Sequence, residues 1–280
     1  MPIVTGPLTV ERLTVPIADL PARLAGTTVV QLSDLHYDGL LLTDELLARA
    51  VDEVRSLSPD LIVLTGDYVT RDPTPIYTLA RQLKQLSSRY GLYAVLGNHD
   101  RLVSGAAETI THALEQVDIR VLWNQIAYPF GETFPLVGLA DFWSSAFRPA
   151  PIFEQLDPAV PRLVLSHNPD SAEVLSCWRV DLQLSGHTHG GQIVFPGIGN
   201  APQLWDLLRR HIPAEWRKDI PYLSDQCFKI VKHWEWAMGL HRVGSNWLYV
   251  NRGLGTYPPG RLFCPPEITL LTLQPAQVKR

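Results

Sequence analysis

Three apolar runs in the first part of the chain each stop at a polar residue of the kind that binds metal ions. Thr27–Ser33 reads Thr-Thr-Val-Val-Gln-Leu-Ser and runs into Asp34-Leu35-His36. Leu61-Ile62-Val63-Leu64 runs towards Gly66-Asp67, and Leu92-Tyr93-Ala94-Val95-Leu96 into Gly97-Asn98-His99-Asp100. Short apolar runs bounded by turn residues read as buried strands. Helical patterns separate them. From Thr43 to Leu57 the apolar positions Leu46, Leu47, Ala50, Val51 and Val54 recur at three and four, with Thr43 as N-cap and Pro59 as stop. Further helices are expected over 75–88 and 105–116. This alternation is the βαβ pattern of a parallel sheet. Ligands of such sheets bind beyond the carboxyl ends of the strands, where these polar residues fall.

The rest of the chain turns mostly to strands: Ile119–Leu122, Phe134–Leu139, Leu163–Ser166, Trp247–Val250 and Ile268–Leu273. Leu163–Ser166 ends at His167, and a short helix is expected over 171–177. Val180–Leu184 leads into Ser185-Gly186-His187-Thr188-His189-Gly190-Gly191. Residues two apart on an extended chain face the same side, so His187 and His189 pair. Flanking glycines keep side chains away from a ligand. Singly, an Asp here reads as a helix cap, an Asn as a turn former and a His as a surface residue. Together the five strand ends hold Asp34, His36, Asp67, Asn98, His99, His167, His187 and His189, with five of the chain's nine histidines.

This donor set suits two divalent ions. Imidazoles accept Zn, Fe, Mn or Ni, and carboxylates add hard oxygen ligands. One carboxylate bridging ions about 3.5–4 Å apart is the arrangement of phosphatases and nucleases. Asp34 and Asp67 supply two negative charges against four positive ones, and neutral Asn98 preserves the excess, which suits a phosphate group. Water between such ions loses a proton near neutral pH and becomes a nucleophile.

Composition narrows the partners. The chain has 280 residues, 46% hydrophobic and 19% charged, ordinary for a globular protein. A net charge of -4 carries no nucleic-acid signal, so no nucleic-acid partner is expected. Cys177, Cys227 and Cys264 form no CxxC pair, which fits a reducing compartment. Residues 1–26 lack a basic segment followed by an apolar one, and no run is long and apolar enough to span a bilayer. No signal peptide or transmembrane helix is therefore expected, and the expected location is cytoplasmic.

The order Asp34-x-His36, Gly66-Asp67, Gly97-Asn98-His99-Asp100, His167, Gly186-His187-x-His189 resembles the calcineurin-like metallophosphoesterases, over about 27–273. The resemblance implies an α/β sandwich, two facing mixed β-sheets flanked by helices, in a single domain over 1–280. It implies Asp34, His36, Asp67 and His189 on a first ion, and Asp67, Asn98, His167 and His187 on a second, with Asp67 bridging. His99 would stabilise the transition state or protonate the leaving oxygen. Gly190-Gly191-Gln192-Ile193, Tyr249–Gly255 and Cys264–Thr269 are similar to a bacterial branch. It includes membrane-associated phosphodiesterases and one type of UDP-2,3-diacylglucosamine hydrolase. In protein Ser/Thr phosphatases a second Asp after Gly-Asp orients the catalytic His. Here Thr70 stands in that place, which argues against a phosphoprotein phosphatase and leaves Asp100 as the expected orienter of His99.

A Trp-rich stretch, about 196–245, interrupts the pattern as an insertion or lid. It holds four of the eight tryptophans, Trp205, Trp216, Trp234 and Trp236, and seven basic against five acidic residues. Leu204, Leu208 and Ile212 form an apolar stripe with Trp205 beside Arg209 and Arg210. Such a stripe either packs on the body or lies on a membrane surface or an amphiphilic substrate. The expected activity is metal-dependent hydrolysis of a phosphodiester or pyrophosphate in a small phosphate ester, with a lipid-linked substrate such as UDP-2,3-diacylglucosamine as the specific case. A broad phosphomonoesterase is the nearest alternative. It needs extra cations for the dianion, and Arg71, Arg101 and Arg252 are the candidates. A silent binding module of the same fold is the alternative from another class, but such a chain is expected to lose ligands and none is missing.

Overall fold

The computed structural model describes residues 5–213 and 231–276. The elements in chain order begin with β1 (Thr9–Ile17), β2 (Thr28–Leu32), α1 (Asp44–Leu57), β3 (Leu61–Leu64), α2 (Ile76–Leu83), β4 (Leu92–Ala94), α3 (Ala106–Glu115) and β5 (Ile119–Val121). There follow β6 (Gln125–Ala127), β7 (Leu136–Gly138), α4 (Ala150–Phe153), β8 (Leu163–Leu165), α5 (Ser171–Leu175) and β9 (Leu182–Ser185). The last are β10 (Val194–Phe195), β11 (Gly199–Asn200), α6 (Ala201–Arg210), β12 (Gly239–Val243), β13 (Asn246–Val250) and β14 (Glu267–Pro275).

Two six-stranded mixed sheets result, in the orders β1-β14-β2-β3-β4-β5 and β12-β13-β9-β8-β7-β6. β2 to β5 run parallel, as do β7, β8, β9 and β13. Alternation along each strand assigns the two faces. Val29, Leu61 and Val63 of the first sheet meet Leu163, Leu165, Leu182 and Leu184 of the second in one buried cluster. Val30, Ile62 and Leu64 face outward against Leu47 and Val54 of α1, Leu79 of α2 and Ile110 of α3. Val137 and Val164 face Ile152, Phe153 and Leu175 on the other side. The expected pair of facing sheets flanked by helices is therefore present. Each fully buried Val or Leu contributes about 1.5–3 kcal/mol to holding the layers together.

Local signals worked where the backbone decides. Thr43 caps α1, its hydroxyl accepting from the Leu46 amide at 3.3 Å, and left-handed Ser58 ends it just before Pro59. α2 stops at Leu83 rather than Ser88, because the chain turns through Lys84 and Gln85 and the Ser88 hydroxyl donates to the Gly91 carbonyl. β1 was not expected from the sequence. Its inward positions Val15 and Ile17 are buried only because β14 runs parallel beside them.

The Trp-rich stretch lies partly outside the described residues, at 214–230. Of the rest, β10 and β11 form a short hairpin, and Asn200 caps α6 by accepting from the Gln203 amide at 2.9 Å. α6 buries none of its residues, and Ile212 falls beyond its end. β12 belongs to the second sheet, paired with β13. No helix among the described residues is long and apolar enough to cross a membrane.

Candidate metal centre

The parallel strands deliver their carboxyl ends to one edge of the sandwich. β2 gives Asp34 and His36, β3 Asp67, β4 Asn98 and His99, β8 His167, and β9 His187 and His189. Gln31 ties the sheets just beneath, its amide donating to Thr65 Oγ1 and to the Ser185 carbonyl at 2.9 Å each. Five of these side chains leave the strand ends in left-handed backbone: Asp34, His36, Asp67, His187 and His189, with φ between 43 and 72°. Asp and His tolerate that region better than most residues, and such strain gathers at functional sites. It turns each donor inward at once after its strand.

Two buried trios form, Asp34 with His36 and His189, and Asp67 with His167 and His187. Asp67 lies between them. Its Oδ2 is 3.5 Å from His36 Nε2 and 3.2 Å from His167 Nε2. Its Oδ1 accepts from the His99 amide at 2.9 Å, which sets the carboxylate's angle. Asn98 Oδ1 joins the second trio, 3.2 Å from His167 Nε2. Asp34 accepts from Ser33 Oγ at 2.5 Å and from the His187 amide at 2.9 Å.

The donor set fits cations by its hydrogen bonds. His167 Nδ1 faces the Thr65 carbonyl at 2.7 Å, so it carries hydrogen and neutral His167 points the Nε2 lone pair at Asp67, Asn98 and His187 Nδ1. His189 Nδ1 faces the Gly255 carbonyl, so its Nε2 lone pair meets His36 Nε2 at 3.1 Å. Acceptors converge on acceptors in a buried space, an arrangement stable only around positive charge. Without an ion a proton takes the role. Burial by itself lowers His167, yet Asp67 overrides this and raises it to about 10. Burial also raises Asp67, but His167 and His36 hold it well below the usual carboxylate range. Burial lifts Asp34 to about 6 and drops His36 to about 3.

Two glycines admit this crowding. A Cβ on Gly186 would lie 1.9 Å from Ser33 Oγ and 2.1 Å from Asp34 Oδ2. On Gly97 it would lie 2.1 Å from Asp67 Oδ1.

His99 stands beside the trios, its ring edge-on to His36 at 4.8 Å. The expectation that Asp100 orients it does not hold. His99 Nδ1 donates to the Thr70 carbonyl at 2.7 Å, so the residue in the phosphatase Asp place serves through its backbone. Asp100 turns the other way, is fully buried, and accepts from the amides of Asp67, Tyr68 and Gly97 at 2.8–2.9 Å. It staples the β3 and β4 loops together. Burial raises its carboxyl to about 7.

Of the candidate arginines, Arg101 pairs with Asp141 at 2.9 Å and lies over the Trp123 ring. Arg252 pairs with Glu11 at 2.6 Å and Glu267 at 2.9 Å. Arg71 is exposed. None lines the cleft of about 550 Å³ above the trios, formed by Asp67, Asn98, His99, Trp143, His187, His189 and Tyr257.

Sequence reasoning missed four of the residues here, Trp143 on the cleft wall and three others. The Tyr257 hydroxyl is 3.1 Å from His36 Nδ1, and its ring packs on His36 and His189. Buried Arg261 binds the carbonyls of Arg252, Gly253 and Gly255, fixing the loop that carries Tyr257. Asp141 closes the run that begins at Leu136, a strand end whose polar residue was the available signal.

Residues 27–191, which include all seven donors and His99, match the calcineurin-like phosphoesterase family. The chain is 34% identical over 253 residues to phosphodiesterase YaeI of Escherichia coli strain K12, covering 88% of this chain and 81% of that one. It is 30% identical over 298 residues to UDP-2,3-diacylglucosamine pyrophosphatase LpxG of Chlamydia trachomatis, covering 89% and 84%. It is 28% identical over 260 residues to the uncharacterized metallophosphoesterase YkuE of Bacillus subtilis strain 168, covering 91% and 82%. With more than half its length inside the family match, the chain belongs to the calcineurin-like phosphoesterases and is a hydrolase of phosphoric esters.

Proposed function

We propose that this hydrolase cleaves phosphodiesters or pyrophosphates with two divalent cations held by Asp34, His36 and His189 on one side and Asn98, His167 and His187 on the other, Asp67 shared. The observation that carries the reading is Asp67 Oδ2, within 3.5 Å of a histidine nitrogen from each trio. Mn, Fe, Zn or Ni suits these donors, and such a pair supplies Lewis-acid charge at a phosphoryl oxygen and activates water near neutral pH.

The chain's own residues do the rest. Thr70 fixes the His99 ring, so Nε2 is the nitrogen available to stabilise charge on the phosphoryl group or to hand a proton to the leaving oxygen. When His36 Nε2 serves as donor, Nδ1 carries hydrogen towards Tyr257, and the phenol hydrogen turns to the cleft. The cleft supports a diester over a monoester. Among the described residues that line it there is no Lys or Arg to hold a second negative charge.

LpxG is named for UDP-2,3-diacylglucosamine and YaeI as a phosphodiesterase. An amphiphilic diester is the specific substrate class for this chain too, supported by the exposed Trp205, Leu207 and Leu208 on α6. That helix would shelter an acyl chain or lie on a membrane surface, about 0.8 kcal/mol for each buried methylene. The test is a panel on Mn-reconstituted protein: p-nitrophenyl phosphate, bis-p-nitrophenyl phosphate, cyclic nucleotides and UDP-2,3-diacylglucosamine. The diester and pyrophosphate compounds are expected to turn over faster than the monoester. A faster monoester overturns the diester reading, and equal rates on acylated and soluble diesters overturn the amphiphilic one.

A further inference from the structure

The indole of Trp143 is half exposed on the wall of the metal cleft. Single exposed apolar residues are ordinary. This one differs in place and in support. It lines two cavities at once, the cleft that holds Asp67, Asn98 and His99 and a neighbouring pocket of about 390 Å³ that also holds Trp234 and Lys232. The Nε1 of Trp234 is buried without a hydrogen-bond partner, and Trp N–H groups in such places usually have one.

Trp143 is also held in position. It sits in a turn in which the Ser144 amide donates to the Asp141 carbonyl at 2.8 Å. The Asp141 carboxylate is pinned by Arg101, two residues from His99. Phe142 packs edge-on against Trp143 at 5.3 Å and against Phe147 at 5.1 Å. A flat aromatic surface is thus presented beside the phosphate site on a supported turn.

We propose that Trp143 is a stacking platform for a flat ring on the substrate, and that the pocket beyond it takes that ring. The substrate class is a phosphodiester or pyrophosphate whose retained substituent is a nucleoside or an aryl group. This rests on the diesterase reading and narrows it.

Three esters that share p-nitrophenolate as leaving group test it: methyl, phenyl and thymidine 5′ p-nitrophenyl phosphates, with Mn-loaded protein. In each, water bonds to phosphorus and the bond to p-nitrophenolate breaks, so only the retained group varies. The wild-type chain is expected to favour the phenyl and thymidine esters over the methyl ester in kcat/KM. Trp143→Leu is expected to shrink that ratio about tenfold, within the range one base–aromatic stack contributes. Trp143→Phe, which keeps a flat ring, should retain most of it, and Tyr77→Ala on α2 should leave it unchanged. Phenyl favoured as strongly as thymidine identifies any flat ring as the ligand, and thymidine favoured further identifies a nucleoside. If the Trp143 variants do not accumulate, inhibition of the wild-type chain by thymidine 5′-phosphate against methyl phosphate decides, stronger inhibition by the former being expected. Turnover without ring preference, or a ratio that survives Trp143→Leu, overturns the platform. No turnover of any of the three overturns the diesterase reading itself.

Discussion

His99 Nδ1 donates to the backbone carbonyl of Thr70 at 2.7 Å, while the Thr70 hydroxyl turns away to Asp38 at 3.0 Å. The imidazole proposed to act on the leaving oxygen is therefore oriented by main chain, not by a side chain. Thr70→Ala should leave turnover within about twofold. His99→Ala should cut turnover of an alkyl leaving group by about 10²–10⁴-fold and cost less with p-nitrophenolate, which departs without a proton. Metal content should stay at the wild-type level in both. Equal losses on the two leaving groups would point to charge stabilisation instead.

Asp67 serves both trios, so its loss should be felt twice. Wild-type protein reconstituted with Mn should hold two ions per chain by elemental analysis. Asp67→Ala should hold none, and Asn98→Ala should weaken chiefly the ion at His167 and His187. One ion in the wild-type chain would refute the shared carboxylate.

Metal loading should depend on pH in a direction set by the ion-free site. His167 holds a proton up to about pH 10 and Asp34 up to about pH 6. A cation must displace what they carry. At pH 8 His167 is protonated and Asp34 is not, so loading should release about one proton. At pH 5 both are protonated, so release should rise and affinity should fall by about a further tenfold per pH unit below 6. Titration calorimetry in buffers of different ionisation enthalpy counts the protons.

Gly97 is tolerated next to Asp67 only because it has no side chain. In Gly97→Ala the new Cβ would fall 2.7 Å from the Asp67 amide nitrogen and closer to its carboxylate. The backbone must shift, at about 1–3 kcal/mol, and Asp67 must leave its place. Lower thermal stability together with loss of both ions is the expected result. Normal loading would contradict this packing.

Arg101 and Asp141 join the loop after β4 to the loop after β7, one from each sheet. The carboxylate is buried, with Oδ2 accepting from Arg101 and Oδ1 without a hydrogen-bond partner among the described residues. Removing Arg101 alone leaves an uncompensated buried charge, so Arg101→Met should destabilise by about 3 kcal/mol. The double variant Arg101→Met, Asp141→Leu should recover part of that loss. Denaturant unfolding of the four proteins in the cycle measures the coupling.

Much of this protein is local and therefore readable along the chain. Strands such as Leu61–Leu64 are continuous apolar runs because both faces are covered, and α1 carries its cap and stop within a few residues of its ends. The donors could be found because parallel strands put their carboxyl ends on one edge, so a polar residue after each run lands at the site. What the chain could not announce depends on contacts between distant segments. β1 exists as a strand through β14, more than 250 residues away. The partner of His99 is a carbonyl, which every residue possesses, so Thr70 left no trace in residue type while Asp100, the obvious carboxylate, went to cap amides. Arg101 and Arg252 looked free for substrate, but each met an acid from another element. Tyr257 and Trp143 reach the cleft on loops whose course is set by Arg261 and Asp141. Residue type and spacing determined the chemistry available at the strand ends. The tertiary structure decided which groups face one another, because a hydrogen bond or an ion pair forms only where folding brings its two halves within about 3 Å.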